Sequence, residues 1–244
     1  MWKFKIIRVN ILLIIICSIN WIFSNMPLLN MRHKNVMSEQ DILSNHLSSI
    51  NGYNGVRASV VLYGLIMMLS VYYVIKDSKE NIIIRYHTRN KYYKKRVSDV
   101  LIIAIGGVLI RQIINTFFLY NNYDISVMRD VQFLDYTIIQ TVFSAFMYIE
   151  ITLFLVALID ICNREWSAII IICVLNYIQV ILLKYQNWGH ILPVENMMLA
   201  FDYICGNVSE GYIVQSFTKN VILSVFLFFG GEQVFKEKDI YGKK

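Results

Sequence analysis

Charge is what this chain of 244 residues has least of: Asp, Glu, Lys and Arg make up 16% of it, against about 25% in an average soluble domain. That shortage excludes an ordinary soluble fold, because 57% of the residues are hydrophobic and the mean hydropathy is +0.51. Enzyme signatures are missing too. There is no HExxH and no GxSxG, and His33, His46, His87 and His190 are scattered over different loops, so neither a nucleophile with a nearby base nor a metal-ligand cluster can be read. The four cysteines, Cys17, Cys162, Cys173 and Cys205, form no CxxC or Cys/His cluster and read as small apolar residues rather than disulfide partners. No GxxxxGK[ST] occurs, so the chain has no P-loop of its own with which to bind and hydrolyse ATP. Repeats, low-complexity tracts and a separate basic domain for nucleic acid are likewise absent.

What is there is a series of apolar runs. A helix crossing about 30 Å of hydrocarbon needs about 20 mostly apolar residues, since every backbone polar group must be satisfied within the segment. Six stretches qualify: 6–23, 56–75, 97–119, 136–159, 167–183 and 212–230. The expected fold is an all-α membrane protein of six transmembrane helices, forming a single domain over residues 1–244 and in contact with a lipid bilayer. The amino terminus has the basic start and apolar run of a signal peptide, but bulky Trp21 and Phe23 stand where cleavage would need a small residue. It reads as an uncleaved first span.

Lys and Arg set the orientation. The amino terminus, the segment 76–96, the turn at Arg164 and the carboxyl-terminal tail together hold 16 of them, and the opposite loops hold six. Both termini and the segment 76–96 are therefore expected in the cytoplasm. The segments 24–55, 120–135 and 184–211 are expected outside. The last of these is unusually apolar for a loop, and Met197, Met198, Phe201 and Ile204 fall at helical spacing, so it is expected to dip into the outer interface as short helices.

Two ionisable residues lie within spans, where a bare charge costs several kcal/mol. Arg111 sits eight residues from the outer end of the third span and Glu150 fourteen from that of the fourth. At 1.5 Å per residue they differ in depth by about 9 Å, the limit of what side-chain reach and tilt can absorb. A direct Arg111–Glu150 pair is one option; otherwise Arg111, Gln112, Asn115, Gln140 and Glu150 line a translocation path, with Arg111, Gln112, Asn115 and Gln140 alternatively contacting an acidic substrate group or forming an interhelical hydrogen-bond cluster, and Arg111 snorkelling outward as a further option. Asp160, Arg164 and Glu165 mark the turn between spans four and five and read as a solvated loop.

The segment 76–96 is the densest polar stretch, with eight of the 23 basic residues. Wound as a helix, it places Ile82, Tyr86 and Tyr93 within about 40° of one another, beside Arg85, Arg89 and Arg96. An apolar ridge beside an arginine stripe suits docking into an acidic-rimmed groove of a partner, and it equally suits anionic lipid headgroups.

The string from Arg85 through Tyr86, His87, Thr88, Arg89, Asn90 and Lys91 to Tyr92 follows the second of six spans. It resembles the R-[YF]-x-[ST]-R-x-x-[WY] cytoplasmic segment of permease subunits of type-2 ABC exporters, in particular those of bacteriocin and lantibiotic export or immunity systems of Gram-positive bacteria. The matching positions are Arg85, Tyr86, Thr88, Arg89 and Tyr92, and the six-span layout also agrees. The outer stretch 24–55 is longer than the family pattern leads one to expect. The resemblance implies a coupling helix between spans two and three that seats on a cytoplasmic ABC ATPase, with Ile82, Arg85, Tyr86, Thr88, Arg89, Tyr92 and Tyr93 in the contact. It further implies re-entrant outer helices between spans five and six and pairing with a second permease chain, identical or related. ATP and Mg would bind the partner ATPase, with no cofactor or metal on this chain. The function so implied is export of a small peptide or other amphipathic compound across the cell membrane. The alternative is a non-transporting immunity or scaffold protein that binds a toxin or partner through its outer loops.

Overall fold

The computed structural model of the chain describes residues 2–33, 38–48, 52–75, 89–162, 164–183 and 193–237. The described residues are helical with short connections and contain no strand. Six helices are long and apolar enough to cross a membrane. These are α1 (Trp2–His33), α3 (Gly64–Ile75, entered through a π-helical stretch at Ala58–Tyr63), α4 (Arg89–Asn122), α6 (Phe133–Cys162), α7 (Glu165–Leu182) and α9 (Glu210–Glu237). Between them lie α2 (Glu39–Leu47), α5 (Ile125–Asp130), a 3₁₀ turn at Pro193–Met197 and α8 (Leu199–Ile204).

Each apolar run becomes one helix, and several helices outgrow their runs. With 34 residues, α4 is about 51 Å long at 1.5 Å per residue, well beyond the hydrocarbon thickness. Its first two turns, from Arg89 to Arg96, were expected in a loop helix separate from span three; they belong to the same rod. The other end of the expected docking segment, with Ile82, Arg85, Tyr86 and Thr88, lies outside the described residues.

Helix α6 is central and touches α3, α4, α7, α8 and α9. Helices α1, α7 and α9 are peripheral and turn rows of large apolar side chains outward, such as Ile7, Ile11, Ile15 and Ile19 on α1 and Ile170, Val174 and Ile178 on α7. Lipid is as apolar as these side chains, so burial alone does not hold the helices together; close approach and polar contacts must. Close approach is clearest at Gly107 of α4, where an added Cβ would fall 2.0 Å from Met67 Cε on α3. At Gly231 of α9 it would fall 2.4 Å from the Tyr93 hydroxyl, which donates to the Phe228 carbonyl at 3.0 Å.

One end of the bundle is fastened by charge. Lys5 donates to the Tyr73 carbonyl at 3.2 Å and Arg89 to the Lys236 carbonyl at 2.7 Å, so the starts of α1 and α4 meet the ends of α3 and α9. Arg96 Nη1 donates to both carboxylate oxygens of Asp160, at 2.9 and 2.8 Å, with both residues buried. Asp160 is thus part of the packed interior and not of a solvated turn. Arg89 and Arg96 sit seven residues apart on one helical stripe, and that stripe faces α6 and α9.

The opposite end is covered by residues 38–48 and 52–57. Ser38 caps α2 by accepting from the Asp41 amide, and Ile42, Leu43, His46 and Leu47 turn inward. Residues Gly52 to Val56 are also buried. A stretch expected to be an outer loop is therefore partly a packed cover.

Candidate functional site

Arg111 is 2% exposed and sits among neutral acceptors. Its Nη2 donates to the Tyr53 carbonyl and to Ser59 Oγ, each at 2.8 Å, and its Nη1 to the Tyr148 hydroxyl at 3.0 Å. The guanidinium lies 4.1 Å from the centre of the Tyr63 ring and 5.3 Å from that of Tyr53. Two electron-rich faces and three oxygens thus stand in for the water an arginine loses on burial. The π-helical stretch makes this possible. Its i to i+5 pairing brings the Gly64 amide onto the Ser59 carbonyl, which also accepts from Tyr148 at 2.9 Å, while the Ser59 hydroxyl donates to the Asn54 carbonyl and accepts from Arg111. The side chain of Arg111 joins α4, the cover, α3 and α6. It does not snorkel, and among the described residues it makes no ion pair with Glu150.

Next to it on α4, Gln112 accepts from Asn54 Nδ2 at 3.4 Å, and the same amide donates to the Tyr136 hydroxyl at 3.3 Å. Asn115 Oδ1 accepts from Trp21 Nε1 at 3.1 Å and faces His46 Nε2 at 3.3 Å. His46 packs against the Trp21 ring with centroids 5.5 Å apart, and its Nδ1 is buried without a partner. Burial holds this imidazole well below its usual range, down to about 4, because a second ring proton would have no acceptor. The Tyr53 hydroxyl, which donates to the Cys17 carbonyl at 3.3 Å, is pushed up by burial. Arg111, Gln112 and Asn115 therefore form one network that fixes the cover to the bundle. Gln140 stands apart from it, donating to Ser144 Oγ at 3.2 Å and pointing at Met197 Sδ at 3.8 Å, where it meets the 3₁₀ turn.

Glu150 stands apart as well. Tyr148 faces Arg111, and two residues further along α6, about 200° around the helix, Glu150 points away toward α7. It borders a cavity of about 230 Å³ shared with Asn176 and Gln179 of α7, Pro193 of the 3₁₀ turn and Leu223 of α9. Helices α6 and α7 run antiparallel through a short turn. Glu150 lies 12 residues before Cys162 and Asn176 lies 11 after Glu165, which puts both about 17 Å from that turn, near the middle of a bilayer. Glu150 is 3% exposed, yet neither carboxylate oxygen has a hydrogen-bond partner among the described residues; the same holds for Asn176 Nδ2 and Gln179 Oε1. Lys219 acts on Glu150 through its charge and not through a hydrogen bond, and its ammonium pairs with Glu195 at 3.6 Å. Buried polar atoms are nearly always partnered; around Arg111 each side chain keeps at least one hydrogen bond although Arg111 Nε, Gln112 Nε2, Asn54 Oδ1 and His46 Nδ1 have no partner among the described residues, whereas Glu150 has no hydrogen bond there at all.

Next to it the 3₁₀ turn is tied to α9. Asn196 and Asn220 exchange two amide hydrogen bonds, at 3.1 and 2.9 Å, and the Tyr212 hydroxyl donates to Glu195. None of these residues, nor Asn176 and Gln179, was singled out from the sequence. The signal available was their spacing: Asn176 and Gln179 are three apart within an apolar run and so share a helix face.

Of the expected docking residues, Tyr93 is fully buried between Phe228 and Phe235, and Tyr92 is buried against Phe235. Arg89 reaches α9. No family model, curated protein or solved structure matches this chain.

Proposed function

We propose that the chain is the permease subunit of a membrane transporter, with the path for its cargo running past Glu150. The observation that carries this reading is the cavity midway along the bundle, lined by a buried carboxylate with no hydrogen-bond partner among the described residues and by two amides each with one such atom. A purely structural bundle gains nothing from such a cluster, because each unpartnered buried group costs about 1–3 kcal/mol. A cargo-binding protein keeps it for the groups the cargo brings.

The drive is assigned by the likeness of residues 85–92 to the coupling segment of type-2 ABC exporters. On this reading the Lys- and Arg-rich end of the bundle is cytoplasmic, in the cell membrane of a Gram-positive bacterium, and the short helices 193–204 are the re-entrant outer elements. A separate ATPase docks on residues 82–89, a second permease chain completes the path, and a small peptide or amphipathic compound is exported. Tyr92 and Tyr93, packed inside the bundle, then transmit movement from the docking segment to α9 and do not touch the ATPase themselves.

Purification from native membranes with mass spectrometry tests this. An ABC ATPase should accompany the chain, and Arg85→Glu with Arg89→Glu should lower its recovery more than about tenfold, since like charges facing one another across an interface cost several kcal/mol. Because Arg89 also fastens α4 to α9, Arg85→Glu alone is the control: it should lower recovery of the ATPase while keeping the melting temperature of the parent to within a few degrees. Recovery of the chain without any ATPase would overturn the reading in favour of an immunity or scaffold protein. One observation favours that second reading: the cover over the outer end is held rigidly by Arg111 and Asn115, as a fixed recognition surface would be.

A further inference from the structure

We propose that the cavity beside Glu150 is a binding site for a primary ammonium group carried on an apolar or amphipathic molecule. Three residues that line it carry four polar atoms with no partner among the described residues: both carboxylate oxygens of Glu150, Oε1 of Gln179 and Nδ2 of Asn176. Three of the four are acceptors. A primary ammonium brings three N–H donors and one positive charge, which matches three acceptors of which two share one negative charge. The remaining donor, Asn176 Nδ2, suits a hydroxyl or carbonyl oxygen close to the amine.

The other obvious ligands fit less well. An anion would face the carboxylate. A quaternary ammonium carries the charge but has no N–H to give three oxygen acceptors, and such cations are held by aromatic cages, whereas Phe154 is the one aromatic residue lining this cavity. A divalent metal would call for several charged or imidazole ligands, and no cluster of three His, Cys, Asp or Glu exists among the described residues. Size sets a further limit. Sites for whole drug-sized molecules run from about 300 to 1,000 Å³, so a cavity of about 230 Å³ takes the amine-bearing end and leaves the rest of the molecule along the apolar walls made by Phe154, Leu175 and Leu227. Position agrees: Asn176 lies against α3, where its Nδ2 is 3.5 Å from the Cβ position of Gly64, so the site is walled on that side by backbone, and α6, α7 and α9 supply the rest of its lining with Pro193.

As the substrate class of a transporter this inference rests on the permease reading; as a binding site it does not. The test therefore measures binding to the full chain, in nanodiscs of phosphatidylcholine, a lipid with no primary amine. Hexylammonium is titrated calorimetrically against empty discs. Saturable binding is expected, weakened at least about tenfold by Glu150→Gln and by Gln179→Ala, the loss that follows from about 1.4 kcal/mol of binding free energy. Hexanol and hexyltrimethylammonium should bind at least about tenfold more weakly than hexylammonium. Glu150→Gln should leave the melting temperature unchanged or raised, because the carboxylate has no partner to lose.

Equal binding of hexanol, or of hexyltrimethylammonium, would overturn the proposal, as would no saturable binding of hexylammonium. A fall in melting temperature on Glu150→Gln would assign the carboxylate to structure instead. Absence of an ATPase partner would remove the transporter reading and leave the amine site standing, so the two failures are told apart.

Discussion

Replacing Arg96 by Met would take both Nη1 hydrogen bonds and their charge from the buried Asp160 carboxylate. The two residues are 7% and 5% exposed, and the contact joins α4 to α6 at the charged end of the bundle. Removing one member of a buried ion pair costs about 3–5 kcal/mol. Both hydrogen bonds come from Nη1 and Nε has no partner, so the pair lacks the two-nitrogen fork of the strongest arginine–carboxylate contacts, and the expected cost lies near about 3 kcal/mol. Converting both residues, Arg96→Met with Asp160→Leu, removes the desolvated charges together and should return stability to within about 1 kcal/mol of the parent or above it. The assay is reversible unfolding in bilayer discs, run as a double-mutant cycle, with a coupling of about 2–3 kcal/mol expected. If Arg96→Met costs under about 1 kcal/mol, or the double variant loses the sum of the two singles, the pair does not hold the helices together.

Two further outcomes follow from the packing. His46 is held neutral down to about 4 by burial, whereas an unfolded histidine titrates near 6.5; in that window the unfolded state binds the extra proton, so stability falls as pH drops from about 6.5 to about 4, by about 3 kcal/mol in all. Hydrogen exchange of residues 38–57 should quicken over that range, and His46→Gln should flatten the dependence; a wild-type profile as flat as the variant's would rule this out. Gly107→Ala meets only the mobile end of Met67 and should cost about 1 kcal/mol or less, while Gly107→Leu must push α3 and α1 away and should cost about 3 kcal/mol. Thermal unfolding that ranks the two alike would refute the close packing of α4 on α3.

The six helices were legible because a span is a property of its own residues: the apolar runs 136–159 and 167–183 predict α6 and α7 to within three residues at each end. The cover was not. Residues 38–48 hold Ser38, Glu39, Gln40, Asp41 and Asn45, and their mixed polarity reads as a loop until Ile42, Leu43 and Leu47 are seen to meet the bundle. Arg96 shows the same limit at the level of one side chain. Its place beside Arg89 on a helical wheel holds in α4, while Arg85 lies outside the described residues; a wheel gives angles between residues and not which angle faces the protein. Sequence alone gives no means of sorting the polar residues of the spans: Arg111, Gln112 and Asn115 hydrogen-bond to the cover and its neighbours, Gln140 meets the 3₁₀ turn, and Glu150 has no hydrogen-bond partner among the described residues and borders a cavity with two amides.

Composition by itself determined that this chain is helical, has six segments able to span a membrane, and concentrates its charge at one set of loops, because these follow from transfer free energies summed along the chain. Only the tertiary structure decided that Arg111 and Glu150 have different fates. Tyr148 and Glu150 are two residues apart on one helix, yet opposite faces of α6 meet different neighbours, one offering oxygens and aromatic rings to a cation and the other leaving a carboxylate unpartnered beside a cavity. Burial and partnership depend on which helices pack against which face, and that pairing is made between segments far apart in the sequence.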